Sequence, residues 1–120
     1  MSSSPFSVLR GEALKGHLDV ILLSVLAEGP AYGYAIISKL EEWTGGELNL
    51  SDGTVYPALH RLENAGLLKS RYAVEAGRRR RIYSLTERGQ AEYRRLRDEW
   101  MAFTEGVQRV LEHAGGGSNR

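Results

Sequence analysis

Apolar residues recur every three or four positions in four stretches of the chain, and this spacing predicts four amphipathic helices. The first helix spans about residues 12–28, and its apolar stripe comprises Leu14, Leu18, Ile21, Leu22, Val25 and Leu26. Gly29-Pro30 then stops it. The second helix begins at Tyr32 or Gly33 and ends at Trp43, before a Thr-Gly-Gly stretch that suits a helix terminus.

The third helix lies within the stretch LNLSDGTVYPALHRLENAGLL, residues 48–68. Ser51 is the predicted N-cap, with its hydroxyl accepting a free backbone N–H. Val55, Leu59 and Leu62 form the buried seam, and Gly66 suits the left-handed residue that ends a helix. The stretch therefore predicts a helix of about four turns.

Pro57 falls inside this third helix, where it cannot donate the usual hydrogen bond to the carbonyl of Gly53. At 100° per residue the side opposite Val55 carries small or polar residues, namely Gly53, Pro57, His60 and Asn64. Thr54 and Arg61 fall on one flank of that side and Tyr56 on the other. Such a face favours a surface that reads DNA bases over an ordinary solvated one. The alternative is that Pro57 closes a loop and the helix starts later.

A β-hairpin and a long helix complete the chain. Residues 69–75 and 80–85 are rich in Tyr, Val and Ile, and Ala76-Gly77 between them is a turn signal. Thr86 is the predicted cap of a fourth helix that ends near Glu112. Its apolar residues follow a heptad-like rhythm that predicts packing against another helix: Tyr93, Leu96, Trp100, Phe103, Val107 and Val110.

These elements predict a mostly α-helical chain with a small β-hairpin, arranged as a winged helix-turn-helix followed by a long C-terminal dimerisation helix. We expect a disordered tail over residues 1–10, a winged-helix DNA-binding domain over 11–86, the dimerisation helix over 87–113 and a second disordered tail over 114–120. A chain of 120 residues suits a single small domain.

The net charge of +1 conceals a strongly basic segment. Residues 1–66 carry a net charge of −4, residues 67–85 carry +5, and residues 86–120 are neutral. Four consecutive arginines, Arg78 to Arg81, follow the hairpin turn, and Lys69 and Arg71 lie on the other strand. Their mutual repulsion is offset if they neutralise phosphates, so nucleic acid is favoured over a merely solvated turn. Along the second strand, Tyr83 and Leu85 are expected to face the core.

The order of elements and several motifs resemble the short subfamily of the PadR family of bacterial transcriptional regulators. The matching stretches are Gly29-Pro30-Ala31-Tyr32-Gly33-Tyr34, the segment from Ser51 to Glu63 with its Gly-Thr-Val-Tyr-Pro-Ala-Leu core, Gly66-Leu67, and the arginine-rich wing with Tyr83-x-Leu85-Thr86-x-x-Gly89. The resemblance spans about residues 12–112. It implies a homodimer that binds double-stranded DNA at an inverted repeat, usually as a repressor released by a small effector.

The resemblance also implies roles for individual residues. Thr54, Tyr56, Pro57, His60 and Arg61 would face DNA on the third helix, beside Ser51 and Gly53 at its start. Tyr32 and Tyr34 would lie near phosphates, and Arg78, Arg79, Arg80 and Arg81 would follow the adjacent backbone or minor groove. In this short chain the fourth helix would supply the dimer contact through its apolar stripe.

Trp100 occupies a position that resembles one where some short-subfamily members line a cavity between subunits. Two such rings across a dimer axis could hold a planar aromatic effector. The expected neighbours are Leu14, Leu18, Asp19 and Phe103. The alternative is that Trp100 is a large core residue of the seam.

Other function classes have little support in the sequence. The three histidines are scattered, and no catalytic grouping, metal-ligand spacing or phosphate-binding glycine loop appears, so we expect neither an enzyme nor a metal or cofactor. His17 and His113 are interpreted as helix-surface residues.

The apolar run of residues 20–27 is too short to span a bilayer. Glu12 and Asp19 add negative charge to the flank that is basic in a signal peptide, so a cytoplasmic protein without membrane contact is expected. A winged-helix module that binds only protein is the remaining alternative.

Overall fold

The computed structural model describes the backbone of residues 11–117 and the side chains of residues 17–115. The predicted tail over residues 1–10 and the last three residues of the second tail lie outside the described residues, as does the side chain of Leu14. The helices are α1 (Gly11–Ala27), α2 (Gly33–Trp43), α3 (Asp52–Asn64) and α4 (Glu87–Gly117). The strands are β1 (Ala31–Tyr32), β2 (Leu68–Glu75) and β3 (Arg78–Leu85). The predicted winged helix-turn-helix with a long final helix is confirmed.

A third strand joins the predicted hairpin. The two-residue strand β1 pairs antiparallel with β3, with Ala31 opposite Tyr83 and Tyr32 opposite Ile82, and the strand order is β1-β3-β2. Two residues are too few to show an alternating pattern, so β1 could not be predicted from periodicity. We define the wing as β2, β3 and the turn between them. The pairing of β1 with β3 holds the beginning of α2 against the base of the wing.

The core lies where α1, α2 and α3 meet the base of the sheet. Its fully buried side chains include the α3 seam of Val55, Leu59 and Leu62, and Tyr83 from β3. Leu85 packs against this cluster while remaining partly exposed. The predicted seam of α3 and the inward position of Tyr83 are therefore confirmed.

Helix α3 begins at Asp52 and continues through Pro57, so the alternative of a loop closed by Pro57 is wrong. Ser51 is the N-cap residue, but the predicted bond from its hydroxyl to a backbone N–H is wrong. The Ser51 hydroxyl lies instead 3.2 Å from the Thr54 hydroxyl, and the Ser51 carbonyl accepts the N–H groups of Thr54 and Val55. The cap is therefore made by the backbone.

The other end of α3 has the geometry expected from its glycine. Gly66 has φ +81°, its N–H donates to the Glu63 carbonyl at 3.0 Å, and the Leu67 N–H donates to the Leu62 carbonyl at 3.0 Å. This pair of bonds is the Schellman motif, which needs a left-handed residue. Thr86 then caps α4 as predicted, because its hydroxyl accepts the Gly89 N–H at 3.0 Å.

Helix α4 ends at Gly117, beyond the predicted end near Glu112. Each added residue of an established helix gains one hydrogen bond, so glycines at its end can extend it. Tyr93 and Leu96 pack against the core, whereas Trp100, Phe103, Val107 and Val110 are exposed in the single chain.

Candidate nucleic-acid interface

The predicted outward face of α3 is exposed as expected. Gly53, Pro57, His60 and Asn64 are all exposed, and the flanking Tyr56 is half-buried. Because the seam of α3 is fully buried while this side is open, the helix presents small and polar groups to any molecule that approaches it.

A groove of about 220 Å³ brings α2, α3 and the wing together. It is lined by three tyrosines, one glycine and the four consecutive arginines, namely Tyr32, Gly33, Tyr34, Tyr56, Arg78, Arg79, Arg80 and Arg81. These residues come from three separate parts of the chain, and seven of the eight were predicted to contact DNA. The structure therefore places the predicted aromatic and cationic groups in one depression.

Close packing between α2 and α3 shapes one wall of the groove. A Cβ atom added at Gly33 would lie only 2.6 Å from the Tyr56 hydroxyl oxygen and 2.5 Å from the nearest ring carbons. Only glycine therefore leaves room for the Tyr56 ring over the start of α2. The close packing of Tyr56 against Gly33 could not be predicted from the sequence, because the two residues are far apart along the chain.

Three of the four arginines lie over tyrosine rings, Arg79 and Arg80 at the shortest distances. The Arg79 guanidinium carbon is 4.0 Å from the centre of the Tyr72 ring, and that of Arg80 is 4.6 Å from the centre of the Tyr32 ring. Arg79 and Arg80 are consecutive in a strand, so their side chains leave opposite faces of the wing. Cation–π contacts orient a guanidinium without removing its hydrogen-bond donors. Tyr72 was not predicted as a site residue, although its pairing with the arginine strand follows from the hairpin register.

Arg81 has hydrogen-bond and ion-pair partners in addition to its contact with the Tyr72 ring. Its Nε donates to the Ser70 hydroxyl at 2.9 Å, and its Nη2 lies 3.4 Å from the Glu63 carboxylate. Glu63 in turn accepts a hydrogen bond from the Ser70 hydroxyl at 2.7 Å. Desolvation alone would lower the pKa of Arg81, but Glu63 and the nearby phenols together raise it, so the side chain stays charged. Arg81 thus connects the wing to α3.

Arg61 is also held within the chain. Its guanidinium donates to both carboxylate oxygens of Asp19 on α1, at 2.6 and 3.3 Å. The pair is only partly exposed, with 34% of the Arg61 side chain and 25% of the Asp19 side chain accessible. This contact joins a predicted DNA residue to a predicted effector residue, 42 positions apart in sequence.

An apolar cavity of about 260 Å³ lies beside Trp100. It is formed by α1, α2, the loop after α2 and α4, and it is lined by Val20, Ile21, Ser24, Val25, Leu40, Trp43, Leu48, Arg97, Trp100 and Met101. Of the predicted effector residues whose side chains the structure describes, only Trp100 lines it. Leu18 is a core residue with 5% exposure, and Asp19 binds Arg61.

The Trp100 ring also contacts two neighbours outside this cavity. Its centre is 4.6 Å from that of His17 in an edge-on contact and 5.6 Å from that of Phe103. The interpretation of His17 as an ordinary helix-surface residue is therefore wrong. The spacing of residues within α1 could not show that α4 packs over His17.

Within residues 11–117, no helix is both long and apolar enough to cross a membrane. The same part of the chain contains no group of three or more His, Asp or Glu residues arranged to hold a metal ion.

Comparison with known proteins agrees with this arrangement. The sequence model of the transcriptional regulator PadR-like family matches residues 22–95. The transcriptional regulator Rv3488 of Mycobacterium tuberculosis is 51% identical over 62 residues, which are 52% of this chain and 55% of that protein. A transcriptional regulator from Clostridium thermocellum superposes with a TM-score of 0.73 at 32% identity, covering 82% of this chain and 97% of that one.

A PadR-like transcription factor from Bacteroides fragilis superposes with a TM-score of 0.68 at 34% identity, covering 81% of this chain and 92% of that one. These proteins are transcriptional regulators and not enzymes. The fold, the groove and the sequence match lead to the same conclusion: this chain belongs to the PadR-like family of transcriptional regulators.

Proposed function

We propose that this regulator is a homodimeric repressor that binds an inverted-repeat DNA operator and is released by a small, planar aromatic effector. The observation that carries the proposal is the groove, which is lined by tyrosines from the start of α2 and from α3 and by the four arginines of the wing. Aromatic and cationic groups drawn from three elements suit a duplex, which offers base edges and phosphates side by side.

The first half of α3 is assigned to base contacts. Thr54, Tyr56, Pro57 and His60 lie there beside Ser51 and Gly53, and the exposed members leave room for a groove edge. The small Gly53 allows close approach, and the helix N-terminus favours a nearby phosphate. Arg61 is assigned a supporting role, because its contact with Asp19 fixes α3 against α1.

The wing is assigned to phosphates and the adjacent minor groove. Arg78 is exposed, while Arg79 and Arg80 lie over tyrosine rings that restrict their orientation. A guanidinium that is already oriented loses less freedom when it meets a phosphate. In this proposal Tyr32 and Tyr34, which line the groove at the start of α2, flank the same backbone.

The dimer contact is assigned to the second half of α4. Phe103 and Val110 are 60% and 66% exposed, and they continue the stripe whose earlier members pack on the core. A helix stripe of this kind is stabilised by a second copy. Two chains related by a twofold axis would present their α3 helices about 34 Å apart, one turn of a duplex, which calls for an inverted repeat.

The effector is assigned to the cavity beside Trp100. Its walls are mainly apolar, and the rings of Trp43 and Trp100 together with the Arg97 guanidinium suit a flat molecule with a polar edge. Since Trp100 also belongs to the predicted dimer stripe, occupation of this cavity can alter the spacing of the two α3 helices. Phe103, in contact with Trp100, is the residue that links the two surfaces.

DNA binding is tested by fluorescence anisotropy with a duplex from the protein's own promoter and a scrambled duplex, at several salt concentrations. Arg79→Gln with Arg80→Gln is expected to weaken both duplexes alike and to reduce the log–log salt slope by about 0.9 for each lost phosphate contact. Arg94→Gln with Arg109→Gln, which removes the same charge from exposed positions of α4, is the control and should change the slope little.

Absence of binding to any duplex at low salt, by a folded protein, would favour a module that binds only protein. The effector is tested by tryptophan fluorescence with planar aromatic compounds, using Trp43→Phe and Trp100→Phe to separate the two signals. No quenching of the Trp100 signal in Trp43→Phe would remove the cavity from the proposal and leave DNA binding intact.

A further inference from the structure

The wing and α3 are joined by one small polar cluster, which comprises Glu63, Ser70, Tyr72 and Arg81. Glu63 belongs to α3, Ser70 and Tyr72 to β2, and Arg81 to β3. The hydrogen bonds run from Arg81 to Ser70 and from Ser70 to Glu63, and the ion pair from Arg81 to Glu63 closes a ring. Arg81 Nη1 also lies 3.5 Å from the Tyr72 hydroxyl. Three elements are therefore tied at one point.

Glu63 has no local reason to occupy its position. It lies one residue before the end of α3, where the negative end of the helix dipole disfavours a carboxylate. A basic residue there would stabilise the isolated helix better. The contacts with Ser70 and Arg81 stabilise the Glu63 carboxylate, which the end of the helix does not. The connection to the wing therefore explains why a carboxylate can occupy this position.

The cluster also distinguishes Arg81 from Arg79 and Arg80. All three guanidinium groups lie over tyrosine rings, but that of Arg81 is also held by the Glu63 carboxylate. A guanidinium that is paired with a carboxylate has part of its charge neutralised and its orientation fixed by that partner. Arg81 is therefore less able than its neighbours to follow an arbitrary phosphate backbone.

We propose that Glu63 is a specificity-determining positioning residue: by holding Arg81 it sets the angle of the wing to α3 and withholds one arginine from nonspecific phosphate contact. This inference rests on the proposed DNA-binding function. With the wing held, phosphate contacts form best when α3 lies in its preferred register, which favours the operator. Without Glu63, the wing and Arg81 can adapt to any duplex.

The test is Glu63→Gln, which keeps the shape and removes the charge. Nonspecific affinity is expected to rise about three- to tenfold, and the log–log salt slope should steepen by about 0.9 for each bound chain. Affinity for the operator should change less, so the ratio of operator to nonspecific affinity falls. Glu105→Gln, an equal change of charge at an exposed position of α4, is the control and should leave the ratio unchanged.

A double-mutant cycle identifies the route of the effect. If Glu63 acts through Arg81, Glu63→Gln will have no effect on the affinity ratio in an Arg81→Gln background. An equal effect in both backgrounds would mean that Glu63 simply repels DNA, and it would overturn the inference. A parallel loss of thermal stability and of both affinities, with a constant ratio, would overturn it as well.

Hydrogen exchange in the free protein separates this inference from the proposed function. Glu63→Gln is expected to speed amide exchange in β2 and β3 around Tyr72 and Arg81, with α1 unaffected. Unchanged exchange in the wing would overturn the positioning role. A wild-type protein that binds no DNA would overturn the proposed function, while the exchange experiment would still decide whether Glu63 positions the wing.

Discussion

The molecule has two exposed surfaces that differ sharply in chemistry. The α3–wing surface, defined by the first half of α3 and the wing arginines, is small, polar and cationic. The α4 surface, defined by Phe103, Val107, Val110 and Leu111, is large and apolar. Both surfaces belong to helices that carry an apolar stripe. The stripe of α3 is buried by its own chain, whereas that of α4 is covered by its own chain only at its beginning. The uncovered residues therefore favour nucleic acid as the partner of the α3–wing surface and, in the proposed dimer, a second copy of the chain as the partner of the α4 surface.

The largest expected effect comes from charging the α4 surface. Val107→Asp with Val110→Asp would place four carboxylates in the proposed dimer contact, and the cost of desolvating them should leave a monomer at micromolar concentration. Light scattering gives the mass directly, and operator affinity should fall about 100-fold or more because one chain reaches one half-site. Gln108→Asp, off the stripe on the same helix, is the control. A dimer that survives the double substitution would contradict the assignment of α4.

The second effect comes from removing support beneath the α3–wing surface. Leu59 is fully buried under α3, so Leu59→Ala should lower the free energy of unfolding by about 2–5 kcal/mol. Urea unfolding measures this loss. Asn64→Ala, exposed on the same helix, should change stability by no more than about 0.5 kcal/mol. Equal losses in the two variants would show that the exposed side of α3 is structural and does not serve as a contact surface.

A smaller effect is expected at the surface itself. His60 is exposed, so His60→Ala should leave the unfolding free energy unchanged while reducing discrimination against a scrambled duplex by about 1–3 kcal/mol. Anisotropy titrations with both duplexes provide the measurement. Equal weakening for operator and scrambled DNA would instead assign His60 to the phosphate backbone.

The smallest effect concerns the turn that carries the arginines. Ala76 has φ +52° and Gly77 φ +74°, the left-handed pair of a two-residue hairpin turn. Asparagine tolerates this conformation better than alanine, so Ala76→Asn should stabilise the fold by about 1 kcal/mol or less. Gly77→Ala should destabilise the fold, because alanine disfavours this positive φ. Thermal unfolding measures both changes. The proposed dimer contact of α4 should be unaffected by either change, which separates the two surfaces.

Local features of this fold could be predicted from the sequence because their causes are local. The Schellman end at Gly66, the Thr86 cap and the buried seam of α3 each depend on residues within one or two turns. The same holds for the exposed face that contains Pro57 and His60, since a helix period alone determines it.

Features that depend on distant parts of the chain could not be predicted. Strand β1 exists only because β3 supplies its partner, and the contact between Arg61 and Asp19 spans 42 positions. The cavity beside Trp100 likewise requires the relative placement of three helices, so the predicted neighbours Leu18 and Asp19 lie elsewhere. Spacing identifies which face of a helix is apolar but not which element covers it.

Hydrogen exchange with mass spectrometry on the free and DNA-bound protein tests the central claim most directly. We predict that operator DNA slows amide exchange in residues 53–60 of α3 and in residues 78–81 of the wing, while the second half of α4 keeps the protection it has in the free protein. Protection confined to α4, or no change in α3 and the wing at saturating DNA, would contradict the account.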